Sequence, residues 1–126
     1  MMFTKKKPDA LQQREALLGG VPVKNALVKT TLRSNGMARL SAPLQRSWLA
    51  RKLGSDADEK TFELDDLGTF CWQQIDNRRT VETLITAFAE HHKLNLREAE
   101  VSVLAFLKLL VQRNLVAIVA PKAKSD

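Results

Sequence analysis

The stretch Glu63–Thr80, ELDDLGTFCWQQIDNRRT, decides how the chain is read. It opens as a strand end, becomes a helix and closes on a tight turn. Asp65 is placed to cap that helix, and Asp66 falls in its first turn, where the positive end of the helix dipole favours a carboxylate. Leu67, Phe70, Cys71 and Ile75 recur at helical spacing and predict the buried stripe. Asp76-Asn77 ends the helix, Asn77 tolerating the left-handed conformation usually left to glycine. Both acids therefore have a structural task, and no reacting group is needed to explain them.

Downstream, Thr80 caps a second helix whose Val81, Leu84, Ile85, Phe88 and Ala89 follow the i, i+3, i+4, i+7, i+8 rule. Asn95 caps a third, with Glu98 completing a capping box, and Asn114 breaks it. LVAIV, Leu115–Val119, then predicts a short terminal strand ahead of a polar tail, residues 120–126. Upstream, Lys60–Leu64 reads as a strand with Phe62 and Leu64 on one face.

Ala26–Leu44, ALVKTTLRSNGMARLSAPL, alternates like two strands around SNG. A two-residue turn at Asn35-Gly36 would set Leu32 opposite Arg39 and mix the faces. The register expected instead pairs Leu32 with Leu40, Thr30 with Ala42 and Val28 with Leu44, because a one-residue slip exchanges the faces of a sheet. The loop then has three or four residues, with Gly36 at positive φ. Residues 1–24 are expected to form an N-terminal arm. Its segment DALQQREALL is either a short helix with Leu11, Leu17 and Leu18 on one side, stopped by Gly19-Gly20, or a segment that orders against a partner. Arg46–Glu59 is a connector with a helical turn around Trp48–Leu53.

The order is hairpin, strand, three helices and terminal strand, with no βα alternation. It predicts an α+β fold. A small antiparallel three-stranded sheet is followed by three helices and a short terminal strand, a winged helix-turn-helix-like domain over residues 25–119.

At 126 residues, 44% hydrophobic and 27% charged, the chain suits one globular domain with a real core and not a disordered segment. The single cysteine, Cys71, allows no intramolecular disulfide and fits a reducing compartment. MMFTKKKPDA lacks the apolar region of a signal peptide, and no apolar run approaches transmembrane length. A soluble, cytoplasmic protein is expected. Residues 1–60 hold the whole positive excess of the net +6 charge, a front half able to meet nucleic acid, membrane headgroups or an acidic partner, or simply water.

An enzyme is not expected. Cys71 lies on a buried stripe, whereas a nucleophilic cysteine needs access and electropositive neighbours. His91 and His92 diverge by about 100° around a helix and have no second cluster to complete a metal site. No glycine pattern cradles a phosphate, and no cofactor is implied. A winged-helix DNA binder is the alternative, but LREAEVSVLAFLKLLVQRN sets only Arg97, Lys108 and Arg113 against Glu98 and Glu100.

The third helix is more apolar than one covered face requires. Leu96, Ala99, Val103, Leu107 and Leu110 form its stripe, with Leu104 and Val111 on one flank and Phe106 and Leu109 on the other. Either the N-terminal segment or a homodimer partner covers the surplus, or a groove receives a peptide. Strand Lys60–Leu64, if it lies at the sheet's edge, offers unpaired backbone groups to an extended peptide.

Four pieces carry a family resemblance: Leu64-Asp65-Asp66-Leu67-Gly68, Trp72 followed by Ile75-Asp76-Asn77, Arg79-Thr80-Val81, and Leu110–Val116, LVQRNLV. Together they resemble the PqqD-like proteins, named for a component of pyrroloquinoline quinone biosynthesis. The likeness is good over Thr61–Val119 and looser over Leu27–Leu44. The resemblance implies a RiPP recognition element, a non-catalytic peptide chaperone that binds a ribosomal precursor peptide and presents it to a radical-SAM or other modifying enzyme. In such domains the leader adds as a strand beside the third strand and contacts the third helix. Carried over, this makes Thr61, Phe62, Glu63 and Leu64 the pairing edge and Val101, Leu104, Lys108 and Val111 the groove residues, with the Phe106/Leu109 side as the other option. The long Met1–Lys24 and Arg46–Glu59, and Asn77 where glycine is common, depart from the pattern. Trp48, Arg46, Arg51 and Lys52 could add an enzyme-facing surface.

Overall fold

Four side-chain caps start the helices of the computed structural model, which describes residues 9–43 and 59–121. Asp9 starts α1 (Ala10–Gly19), Asp65 starts α2 (Asp66–Gln74), Thr80 starts α3 (Val81–His92) and Asn95 starts α4 (Leu96–Gln112). Each cap oxygen accepts a backbone N–H three residues on, from Gln12, Gly68, Thr83 and Glu98. One orphan donor per helix is thereby satisfied. Asn77 does adopt positive φ, at 65°. Among the described residues no helix is long and apolar enough to cross a membrane. The expectations for Leu44, for the connector around Trp48 and for its basic residues fall outside the described residues.

Five strands, β1 (Val21–Lys24), β2 (Lys29–Leu32), β3 (Ala38–Pro43), β4 (Glu59–Glu63) and β5 (Val116–Val119), complete the described elements. They form two antiparallel sheets, β2-β3-β4 and β1-β5. The fold is thus α+β, but with a second, two-stranded sheet that sequence patterning did not anticipate. Strand β5 pairs with β1, from Val21↔Val119 to Lys24↔Val116. A four-residue run with Pro22 inside it carries almost no strand signal.

This N-terminal strand is bound firmly to the helices. The Val81 N–H at the start of α3 donates to the Gly20 carbonyl at 2.9 Å, and the Lys24 N–H donates to Asn77 Oδ1 at 2.8 Å. Gly20 is required by contact: a Cβ there would lie 2.6 Å from Ile118 Cγ2. An ion pair between Arg14 and Glu100, 2.6 Å, links α1 to α4.

The β2–β3 register differs from the expected one. The observed pairs are Thr30↔Leu40 and Leu32↔Ala38, a shift of two residues. Face assignment survives an even shift, which is why alternation alone could not distinguish the two. The turn decides it. The Gly36 N–H donates to the Arg33 carbonyl at 2.9 Å, Gly36 sits at φ 82°, and Asn35 Oδ1 accepts the Met37 N–H at 2.9 Å. Arg33 N–H to Met37 O, 2.9 Å, then closes a three-residue loop.

The core lies between the three-stranded sheet and α2, α3 and α4. Ala38 and Leu40 from the sheet meet Cys71, Trp72 and Ile75, the whole predicted stripe of α3, and Ala99, Val103, Leu107 and Leu110 of α4. Two expected stripe positions, Leu67 and Leu96, are exposed, as is Leu11 of α1. Leu96 is the first residue of its helix, one turn ahead of the first buried position, Ala99. Helix α2 is rotated away from its apolar pattern, burying Gly68, Thr69 and Trp72 beside Cys71. The cause is polar. Thr69 Oγ1 accepts the Ala38 N–H at 2.9 Å, and the Trp72 Nε1–H donates to Thr30 Oγ1 at 3.0 Å. These bonds are satisfied only with that face inward.

Candidate functional site: the outer edge of β4 and the adjoining helix flank

Strand β4 pairs with β3 on one side, from Arg39↔Glu63 to Pro43↔Glu59, and among the described residues no strand lies on its other side. The direction of each β4 amide follows from one bond. The Leu64 N–H donates to the Ala38 carbonyl at 2.9 Å, and antiparallel ladders alternate. Phe62 and Lys60 therefore turn their backbone groups toward β3, and Thr61 and Glu63 turn theirs outward. The β2–β3 side agrees: the Arg33–Met37 bond sends the Arg39 and Ser41 backbones to β2, leaving Ala38, Leu40 and Ala42 for β4.

Side chains divide by the same period. Phe62 and Leu64 point to the helices. Thr61 and Glu63 stand on the outer face, where Glu63 accepts from Arg39 Nη2 at 2.7 Å and Arg33 Nη1 at 3.2 Å. The Arg39 hydrogen bond, followed by the charges of Arg33 and Arg39, holds the Glu63 carboxyl below its ordinary range. Arg33 also donates to the Leu64 carbonyl at 3.0 Å, ending the β3–β4 ladder there.

Helix α4 presents two flanks to different neighbours. One carries Ser102, Phe106, Leu109 and Arg113, by helical spacing. The Arg113 guanidinium lies 4.6 Å from the centre of the Phe62 ring, and the Phe106 ring edge comes within 3.1 Å of where a Gly68 Cβ would stand. This flank faces the start of α2, and at its end Arg113 reaches Phe62 of β4. Among α2, Phe88 of α3 and this flank of α4 lies a cleft of about 250 Å³, lined by Asp65, Leu67, Gly68, Cys71, Phe88 and Phe106 among others. Leu67, which lines it, and Leu109, on the same flank of α4, are each 43% exposed. Glycine at 68 lets α4 approach this closely. Cys71, at the cleft's floor, is buried, and burial pushes its thiol up to about 12.

The other flank holds Leu104, Lys108 and Val111, which line a separate apolar pocket of about 370 Å³ with Leu17 of α1 and Ile118 of β5. Val101 is exposed. The structure thus keeps Thr61–Glu63 on β4 with Leu64 just past its end, but sets Leu104, Lys108 and Val111 on the α1/β5 side, with Val101 near them by helical spacing. Helical spacing separates the flanks but carries no information on which one meets β4. Arg113, which sequence reading treated only as exterior charge, caps the C-terminus of α4 and lies over Phe62 of the pairing strand. Its signal was weak: a lone basic residue at a helix end. Among the described residues no group of His, Cys, Asp and Glu could hold a metal ion.

The sequence model of the family described as coenzyme PQQ synthesis protein D (PqqD) matches residues 54–116, half of the chain. That span covers β4, α2, α3, α4 and the first residue of β5. No curated protein and no solved structure matches the chain.

Proposed function

The chain belongs to the PqqD family, and from that premise we propose that it is a non-catalytic carrier of a ribosomally made precursor peptide, in pyrroloquinoline quinone or another peptide-derived pathway of the cytoplasm. The peptide adds as a strand to the outer edge of β4 and is handed to a modifying enzyme, a radical-SAM protein or another tailoring enzyme. The observation that carries this reading is the outward direction of the Thr61 and Glu63 backbone groups beside an apolar helix flank. Main-chain hydrogen bonds supply holding energy without regard to sequence, and alternate side chains of the added strand reach the helix and set the choice of peptide.

The flank differs from the one first expected. Phe106 and Leu109 lie on the flank that ends at Arg113, and with Leu67 they serve as the apolar anchors in this proposal. The Leu104, Lys108 and Val111 side is partly covered by Leu17 of the N-terminal segment and by Ile118. That side still exposes Val101 and Val111, so exposure does not separate the two flanks; the Arg113 contact with Phe62 does.

Amide hydrogen exchange tests the mode directly. In the free protein the Phe62 and Leu64 amides exchange slowly and those of Thr61 and Glu63 quickly, since only the former are in the ladder. Adding the short precursor peptide encoded beside the gene slows Thr61 and Glu63. Saturating peptide that leaves both exchanging at their free rates rules the docking mode out.

A further inference from the structure

We propose that Arg113 makes the docking edge selective for an extended peptide carrying an acidic side chain opposite Phe62, two residues from an apolar side chain opposite Leu64. This rests on strand addition at β4 and adds to it the chemistry of the guest. In an added strand, the residue opposite Phe62 shares Phe62's face and is its nearest cross-strand neighbour. That face is where the Arg113 guanidinium lies over the Phe62 ring, 4.6 Å from its centre. Arg113 is exposed, and among the described residues no carboxylate pairs with it. With the guanidinium carbon over the ring, its nitrogens can still donate to a carboxylate in a two-pronged fork that lysine cannot reproduce. Lys60, two residues back on the same face, adds a second positive charge.

The other end of the edge has the opposite character. Leu64 Cβ and the Phe106 ring edge both approach the same point at Gly68, within 3.4 and 3.1 Å, and Asp65 Oδ1 is 3.2 Å from it. An apolar side chain opposite Leu64 meets Phe106 there, whereas an acid would meet the Asp65 carboxylate. Glu63 leaves the inner face undisturbed, because it stands on the outer face between Arg33 and Arg39. The charge order along β4 therefore fits a guest in which an acidic and an apolar residue alternate with one residue between them.

The experiment is a selection of random ten-residue peptides displayed on their own messenger RNA, run against the full chain and against Arg113→Gln, Arg113→Glu, Arg113→Lys and Thr61→Pro. Wild type enriches peptides with Asp or Glu two positions from an apolar residue. Arg113→Gln keeps the apolar position, loses the acidic one and binds the wild-type winners on the order of ten-fold more weakly. Arg113→Glu shifts that position to Lys or Arg, and Arg113→Lys retains a reduced acidic preference. Wild-type winners without an acid, or an acid preference that survives Arg113→Gln, overturn the specificity while leaving strand addition standing. Winners that bind Thr61→Pro as well as wild type, or no enrichment at all, overturn the docking edge and the specificity with it.

Discussion

A proline placed at Thr61 and one placed at Phe62 differ by one position in the chain and should differ widely in effect. The Phe62 amide points to β3, so proline there removes a ladder donor from the interior of the sheet and forces its ring against the neighbouring strand. The cost is about 3 kcal/mol beyond that of Phe62→Ala, which accounts separately for the lost ring and its contact with Arg113. For roughly a hundred ordered residues this lowers Tm by about 12 °C. Thr61 turns its amide outward, its side chain is exposed, and an edge strand tolerates proline there. The expected cost is within about 1 kcal/mol. Binding reverses the ranking of interest: Thr61→Pro deletes a donor to the guest strand, worth about 0.5–1.5 kcal/mol, or roughly two- to twelve-fold in Kd. Thermal unfolding followed by circular dichroism reads the first half, and fluorescence anisotropy of a labelled precursor peptide reads the second. Equal destabilisation by the two prolines would refute the assignment of the β4 amides, and a Thr61→Pro protein of unchanged affinity would refute docking at that edge.

Thr30→Val leaves the buried indole N–H of Trp72 without its acceptor and should cost about 1–3 kcal/mol in urea unfolding, with little further loss when Trp72→Phe is added. Asn77→Ala must hold φ 65° without the side chain that accepts the Lys24 N–H, and should cost about 2 kcal/mol; Asn77→Gly relieves the backbone but not the bond and should cost about 1. Cys71 should resist a thiol reagent at pH 8 until the protein is unfolded. Its folded thiol holds its proton up to about pH 12 against an ordinary value of 9.0, so the stability it contributes is intact below pH 9 and is lost as pH climbs toward 12. The stability difference between wild type and Cys71→Ala, measured by urea unfolding at pH 8 to 10.5, should change in that direction only above pH 9.

Helix starts and stops were open to reading from residues alone because capping is local. Asp65, Thr80 and Asn95 each act on an amide three residues away, and the Asn77 conformation depends on its own side chain. The stripe of α3 was equally clear, since five apolar residues at helical spacing leave only one face to bury. What escaped was polar or shared between distant segments. No apolar pattern counts Gly68 and Thr69 as core, yet a close helix approach and a bond to the Ala38 amide bury both. Strand β1 has no signal apart from its partner β5, nearly a hundred residues later. At the candidate site, Thr61–Leu64 was legible as a strand, while the choice between the two flanks of α4 was not.

Local chemistry in the linear chain thus determined the helices, their caps, the strand that precedes them and the parity of the hairpin faces, because each depends on neighbours a few residues apart. Only the tertiary structure decided that the N-terminal strand would join β5, that no described strand would lie on the outer side of β4, and that Arg113 would rest on the Phe62 ring beside it. Those outcomes depend on which distant surfaces meet, and hydrogen-bond satisfaction and close packing select among pairings that periodicity leaves equal.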